Sequence, residues 1–187
     1  MKNTLYINIF GSPGSGKSTL ATELFSKMKK TLPDLTIEYV PEFAKQFCYS
    51  NGKNEIFDTP ENQLYIGSNQ FYNLYSLDKK VDVVITDSPY LLSCIYNNTP
   101  LLGKCYDMMV KNIFSSHTNL NIFLRLAPEK YQQSGRNENF EESKNLQSRL
   151  IQLLFENDIQ FYEINDCEKI IELVKNRDCS NCRFKQF

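Results

Sequence analysis

The stretch FGSPGSGKSTLA at residues 10–21 constrains the fold more than any other, because it places three glycines and a Lys-Ser-Thr directly after the apolar run LYINI. Its spacing satisfies GxxxxGK[ST] with one additional glycine. A loop of this kind between a strand and a helix points successive main-chain N–H groups around an anion, and the helix adds the positive end of its dipole. The pattern predicts a loop that binds a polyphosphate.

The residues expected to bind the nucleotide phosphates are those of this whole loop. Lys17 would reach the β- and γ-phosphates, and the Ser18 hydroxyl would bind Mg²⁺. Asp87 ends the apolar run VDVVITD, so its carboxylate can orient the Mg²⁺ hydration shell beside the loop, and it is the second predicted metal-site residue. The predicted phosphate-binding residues are Gly11, Ser12, Pro13, Gly14, Ser15, Gly16, Lys17, Ser18 and Thr19.

Short apolar runs alternate with segments of helical periodicity. The runs are rich in Ile, Val, Phe and Tyr, which is typical of strands that are covered on both faces. The predicted strands are 4–10, 35–40, 81–87, 120–126 and 159–164, and the predicted helices are 17–30, 61–79 and 142–157. Because this order indicates βαβ units, we expect an α/β fold with three α/β/α layers and a five-stranded, mainly parallel sheet.

Length and composition predict one domain. The 187 residues suit a single core, which we assign to 1–178, with a lid at about 132–144 and a tail at 179–187. The net charge of −1 lacks the basic excess that is common in nucleic-acid-binding proteins. No run approaches the ~20 apolar residues of a membrane helix, and the N-terminus lacks a secretion-signal layout, so we expect a cytoplasmic protein without a membrane partner.

The six cysteines are scattered, which favours reduced thiols over a disulfide framework. Only Cys179 and Cys182 have the CxxC spacing. Such a pair can supply half of a zinc site, but a tetrahedral site needs two further ligands, and free thiols are the favoured interpretation of the tail.

Several stretches resemble the nucleoside kinase group of small P-loop kinases, which includes deoxynucleoside kinases and the ribosylnicotinamide kinase domain. The resemblance is strongest to small P-loop kinase-like proteins of bacteriophages, and it implies ATP and Mg²⁺ as cofactors and, for a phage protein, the host cytoplasm as location. No NKxD tetrapeptide of guanine-specific switches is present. The stretches that resemble this group are 11–19, 38–46, 83–92, 123–131, 135–143 and 159–165.

The resemblance implies that Glu42 is the general base that accepts the proton of the acceptor hydroxyl. In deoxynucleoside kinases the order is Glu-Pro, whereas here it is Pro41-Glu42. Glu38 is a second candidate, although a place within the strand favours a structural role. A carboxylate at the start of a helix, stabilised by the helix dipole, is the alternative interpretation of Glu42.

The polar stretch after the fourth predicted strand corresponds to the lid of related kinases. Arg136 would close over the γ-phosphate and stabilise its charge, with Gly135 easing the movement; a solvated loop arginine is the alternative. Related kinases bind the acceptor base with a helix near 62–77, so Gln63, Gln70, Phe71 and Tyr72 are expected to line that pocket, unless they belong to the core.

Two further arginines are assigned to the acceptor site with their alternatives open. Arg125 lies in a predicted strand and is either a site residue or an edge charge. Arg149 faces either the phosphates or solvent on the polar side of its helix.

The resemblance implies an ATP-dependent phosphotransferase that moves the γ-phosphate to a hydroxyl of a nucleoside- or nucleotide-type acceptor. Those kinases carry Glu-Arg-Ser or Asp-Arg-Ser after the third strand, whereas this chain has Asp87-Ser88-Pro89, as phage proteins do, which argues against a standard deoxynucleoside. Hydroxymethylpyrimidines in phage DNA are an alternative acceptor. A regulatory ATPase module without a small acceptor is an alternative function. Homodimers are common among the kinases that the chain resembles, so a homodimer is one expected assembly.

Overall fold

The computed structural model of the chain describes residues 3–51, 59–97, 100–127 and 139–178. Gly135 and Arg136, most of the expected lid and the Cys179–Cys182 tail lie outside the described residues. The strands are β1 (Leu5–Phe10), β2 (Ile37–Val40), β3 (Val83–Thr86) and β4 (Thr118–Phe123). The helices are α1 (Lys17–Thr31), α2 (Phe43–Asn51), α3 (Pro60–Tyr75), α4 (Leu92–Tyr96), α5 (Gly103–Ser115), α6 (Phe140–Glu156) and α7 (Cys167–Asp178).

The strands form one parallel sheet in the order β2-β3-β1-β4. Asn8 of β1 and Val40 of β2 both pair with Thr86 of β3, so these three strands reach the same edge of the sheet together. The parallel α/β prediction is confirmed. Because the ligands of open parallel sheets bind beyond the carboxyl ends of the strands, this edge is where a site is expected.

The prediction of five strands is wrong, because the sheet has four in the described part of the chain. Residues 159–164 make only one isolated parallel bridge, between Ile122 and Tyr162. Only Tyr162 of this segment exchanges main-chain hydrogen bonds with β4, to the Asn121 carbonyl and from the Phe123 N–H. Beside the bridge, the Asn121 Nδ2 amide donates to the Gln160 carbonyl oxygen at 2.9 Å. The segment is therefore joined to β4 by one bridge and one side-chain contact, which is too little main-chain pairing for a fifth strand.

Apolar cores cover both faces of the sheet, which gives the expected three layers. On one face, α1 buries Leu20, Leu24 and Met28, whose four-residue spacing forms one stripe, against β1 and β3 and beside α7. On the other face, α3, α5 and α6 pack over residues such as Tyr6 and Phe10 of β1. No helix in the described ranges is long and apolar enough to span a bilayer.

Local sequence signals fix two of the helix starts. The Thr59 side chain accepts a hydrogen bond from the Asn62 N–H, and Pro60 occupies the first turn of α3. Asn139 and Glu142 form a reciprocal capping box at the start of α6. Both helices therefore begin at residues whose side chains satisfy main-chain N–H groups that the helix leaves without partners.

A buried asparagine network joins β1 to β4. The Asn8 Nδ2 amide donates to Asn119 Oδ1 at 2.8 Å and to Asn121 Oδ1 at 3.0 Å. Asn8 is 3% exposed, so a strand shift by one residue would leave these amides without partners inside an apolar core. The network therefore specifies the β1–β4 register.

Replacing Asn8 by leucine, which keeps the branched shape and removes the amide, should destabilise the fold. The variant removes the amide that donates to the buried Asn121 oxygen and to the half-buried Asn119 oxygen, so the free energy of unfolding should fall by about 1–3 kcal/mol. Urea denaturation measures this change, and exposed Asn112→Leu is the control. An unchanged midpoint for Asn8→Leu would contradict the role given to the network.

Candidate active site

The loop between β1 and α1 closes tightly around its own start. Gly11 has φ 151°, and a Cβ there would overlap the Ser15 hydroxyl and lie 2.7 Å from the Leu124 carbonyl oxygen. Gly16 precedes α1 with φ 94°, in the left-handed region. Both positions thus favour glycine, Gly11 because a Cβ would clash and Gly16 because its φ is left-handed. The Lys17 ammonium is folded onto the loop, where Nζ donates to the Ser12 carbonyl oxygen at 3.0 Å.

Polar atoms inside this loop are buried and have no hydrogen-bond partner. They are Ser12 Oγ and Ser15 Oγ, and Asp87 Oδ1 is in the same state at the end of β3. Folded proteins pair nearly all buried polar atoms, and each unpaired one destabilises the fold by about 1–3 kcal/mol. Unpaired buried polar atoms close to Lys17 indicate a site that binds a polar ligand.

The ends of β2 and β3 bring three further polar side chains to this edge. Asp87 is 3% exposed and directly follows β3, while Glu42 lies half-buried two residues beyond β2. Tyr39 of β2 pairs with Ile85, so its side chain lies on the Asp87 side of the sheet edge. Burial first, then the Asp87 charge and a hydrogen bond to Asp87, and finally Glu42, raise the pKa of Tyr39 above its ordinary range.

Tyr39 was not a predicted site residue, because a tyrosine in an apolar strand is typical of core packing. Its ring lies 6.3 Å from that of Phe25 in α1, centroid to centroid, which fixes the hydroxyl near Asp87. The only available signal in the sequence is its place two residues before Pro41.

The residues present fit a nucleotide phosphate group with Mg²⁺. The loop offers main-chain N–H groups, unpaired hydroxyls and Lys17, and no Cβ at Gly11 obstructs it. Mg²⁺ in proteins is usually held by one or two carboxylates together with phosphate oxygens and water, so Ser18 and Asp87 would be a sufficient protein contribution. Among the described residues, no group of three or more His, Cys, Asp or Glu side chains is arranged around a metal position.

The predicted acceptor residues of α3 divide into two faces. Gln63 and Gln70 are buried, at 5% and 4% exposure. Phe71 is 37% exposed and its ring contacts those of Tyr75 and Tyr90, whereas Tyr72 is 69% exposed. The helix therefore cannot present all four side chains to one pocket, and their acceptor role stays a prediction.

The predicted arginines have partners that the sequence did not indicate. Arg125 forms a two-pronged ion pair with Glu163 on the surface, through Nε and one terminal nitrogen. Arg149 donates to the Ile95 carbonyl oxygen at 2.7 Å, at the C-terminal end of α4. These contacts explain both residues structurally, and a role in substrate binding stays a prediction.

Comparison with known proteins supports the fold. Residues 6–169 match the family model described as AAA domain. No curated protein sequence matches the chain. The structure of the NadR protein in complex with NR is similar with a TM-score of 0.68 and 14% identity over 98% of this chain, which spans 54%, about half, of that protein.

A second similar structure matches over its full length. The thymidylate kinase from Ehrlichia chaffeensis has a TM-score of 0.56 and 12% identity, covering 94% of this chain and 99% of that chain. At these identities the likeness establishes the fold alone, an α/β fold that the chain shares with both proteins.

Gly11→Ala should weaken nucleoside triphosphate binding. The new Cβ would collide with a backbone carbonyl as well as with Ser15, so the loop must shift, and the dissociation constant should rise at least about tenfold. Titration calorimetry with Mg·ATP measures it. Gly103→Ala, at φ 51° with open space around the new Cβ, is the matched control and should keep the affinity. Equal affinities in both variants would contradict the packing argument.

Tyr39→Phe should disturb Asp87 while keeping the ring. Because the Tyr39 hydroxyl lies beside the Asp87 carboxylate, removing it should disturb the position of that carboxylate and raise the Mg²⁺ concentration needed for half-maximal triphosphate binding roughly tenfold. Fluorescent-nucleotide binding across a Mg²⁺ series measures this shift. Tyr49→Phe, at a 75% exposed position, is the control. A Mg²⁺ dependence identical to wild type would exclude this role of Tyr39.

Proposed function

The chain belongs to the AAA domain family, and we propose that it is an ATP-dependent phosphotransferase with a nucleoside- or nucleotide-type hydroxyl acceptor. The observation that carries the proposal is the shared sheet edge. There, the phosphate loop with its unpaired buried hydroxyls lies beside Asp87, and Glu42 follows the neighbouring strand. A donor site and an acidic group next to it are the parts that transfer of a phosphoryl group to a hydroxyl requires.

The donor half uses groups whose positions the fold fixes. The N–H groups of the loop would donate to phosphate oxygens, and Lys17 would exchange its contact with the Ser12 carbonyl for one with the β- and γ-phosphates. Ser18 and Asp87 would hold Mg²⁺, which would supply positive charge to neutralise the phosphates. Because these donors are in place before the reaction, they stabilise developing charge with little rearrangement.

The acceptor half centres on Glu42. As the acceptor oxygen forms a bond to the γ-phosphorus, the bond from that phosphorus to the bridging oxygen of ADP breaks, and Glu42 takes the hydroxyl proton. Glu42 is only half-buried, so it can return that proton to solvent. Arg136 stays our candidate for the group that closes over the γ-phosphate, although it lies outside the described residues.

The names of the similar structures support this acceptor class. One is a thymidylate kinase, and the other is the NadR protein in complex with NR. The present chain has only about half the length of that NadR chain, so it would correspond to part of that protein's functions.

The experiment is a phosphoryl-transfer assay with γ-labelled ATP and a panel of nucleosides, mononucleotides, and plain or hydroxymethylated DNA. We expect label on one class of acceptor, loss of transfer in Lys17→Ala, and a rate reduced by about 10²–10⁴ in Glu42→Gln with unchanged ATP affinity. Glu61→Gln, an exposed glutamate on α3, is the control for charge removal.

Each other outcome has a defined meaning. An equal loss in Glu38→Gln, with Glu42→Gln fully active, would assign the base to Glu38. Label on hydroxymethylated DNA alone would identify the polymer as the acceptor. Release of labelled phosphate with no labelled acceptor would contradict the transferase and support a regulatory ATPase.

A further inference from the structure

We propose that Gln70 is a positioning residue that couples the loop after β2, which carries Glu42, to the loop after β3, which carries Asp87. Its significance for catalysis rests on the proposed function, whereas the coupling itself is a property of the fold. Binding at the Asp87 loop should therefore order the Glu42 loop through the Gln70 side chain.

The Gln70 amide bridges the two loops directly. Its Oε1 accepts from the Phe43 N–H at 2.9 Å, and its Nε2 donates to the Ser88 carbonyl oxygen at 2.9 Å. Phe43 follows Glu42 in the chain, and Ser88 follows Asp87. Only one orientation of the amide satisfies both contacts, because one requires an acceptor and the other a donor.

The main chain provides no equivalent link. The β2–β3 ladder ends at the Val40–Thr86 pair. Beyond it, within the described residues, no main-chain hydrogen bond joins residues 41–47 to residues 87–90. The two loops therefore leave the sheet as separate segments, and the side-chain amide of Gln70 spans the gap between them.

The helix that carries Gln70 is well placed to act as a fixed support. Gln70 is 4% exposed and lies on the buried face of α3, one turn after Gly67 and one turn before Leu74. A Cβ at Gly67 would overlap the Tyr106 hydroxyl, so α3 approaches α5 closely there. A buried amide with both ends used by protein backbone is also poorly suited to bind a substrate, and we therefore assign Gln70 to positioning instead of to acceptor binding.

Two substitutions separate the two contacts. Gln70→Met keeps a side chain of similar length and removes both hydrogen bonds. Gln70→Glu, studied at pH 8, keeps an acceptor for the Phe43 N–H but places a carboxylate oxygen against the Ser88 carbonyl, so it breaks only that contact. Asn69→Ala is the matched control, because the Asn69 side chain bonds only the Tyr65 carbonyl of the same helix among the contacts described.

The readout is amide hydrogen exchange followed by NMR, with and without Mg·AMP-PNP as the probe. In the wild-type protein, the probe should slow exchange in residues 86–91 and also in residues 43–47. In both Gln70 variants its effect should be confined to 86–91. Without the probe, the Phe43 amide should exchange roughly tenfold faster in Gln70→Met and stay protected in Gln70→Glu.

The outcomes distinguish the inference from the proposed function. If the probe slows residues 43–47 equally in wild type and Gln70→Met, the coupling is overturned. If the probe protects neither loop in wild type, the proposed nucleotide-binding site is contradicted. The coupling is then tested by amide exchange in the protein without the probe. In that case the coupling requires that amide exchange become faster in both 41–47 and 86–91 of Gln70→Met. The β1 amides and the unfolding midpoint should stay as in Asn69→Ala. Faster exchange in one loop alone overturns the coupling.

A kinetic measurement adds the catalytic consequence. In Gln70→Glu, kcat for phosphoryl transfer should fall roughly 10–100-fold, while KM for ATP changes less than about twofold, because the phosphate loop itself is untouched. An unchanged kcat in an active enzyme would remove Gln70 from the positioning role.

Discussion

The close approach at Gly11 is the constraint on which the site depends. The chain must leave β1 and turn immediately under the Leu124 carbonyl, in a space that a Cβ would fill. The Leu124 N–H in turn donates to the Phe10 carbonyl oxygen at 2.8 Å, so β4 holds the end of β1 in place. The position at which β1 ends sets where the N–H groups of the loop lie. The parallel register with β3 then places Asp87 beside that loop.

The same molecule contains two kinds of buried polar group, and the contrast is informative. Asn8, Asn119 and Asn121 are polar residues in or beside the core, and their amides bond one another and nearby carbonyls. Ser12 and Ser15, by contrast, bury hydroxyls that bond nothing. The fold thus pairs the asparagines that specify the register, whereas the two loop hydroxyls have no partner. Buried Tyr6 Oη and Ser143 Oγ are in the same state elsewhere in the fold, but the loop hydroxyls lie where a bound ligand can pair with them.

The sequence was sufficient where backbone geometry determines the structure locally. The glycine spacing, the strand before it and the stripe of Leu20, Leu24 and Met28 predicted the loop, β1 and α1 within a residue. It was insufficient where a distant side chain decides. Residues 159–164 are joined to β4 by one bridge and the Asn121 side chain. Arg125 contacts Glu163, and Arg149 contacts a helix-end carbonyl. No local pattern encodes such partners.

Tyr39 and Gln70 belong to the same class of information. Each lies in an element whose sequence indicates packing, a strand and a helix, yet each directs a polar group to the end of a neighbouring strand. Their partners, Asp87, Phe43 and Ser88, are brought near only by the sheet order. A residue that positions another can therefore be identified from the contacts of the assembled fold, but not from the sequence of its own segment.

The two carboxylates at this edge also differ in a way that suits different tasks. Asp87 is buried beside the Tyr39 hydroxyl and keeps one oxygen without a partner, so its position is fixed and its free oxygen can serve only something that enters the site. Glu42 is half-buried at the start of a loop, in reach of solvent. Their surroundings suit different tasks, because buried Asp87 is held in one place, whereas Glu42 lies where a proton can be exchanged with solvent. The proposed link through Gln70 matters because it ties the Glu42 loop to the Asp87 loop, and a proton acceptor works only while it is held in position.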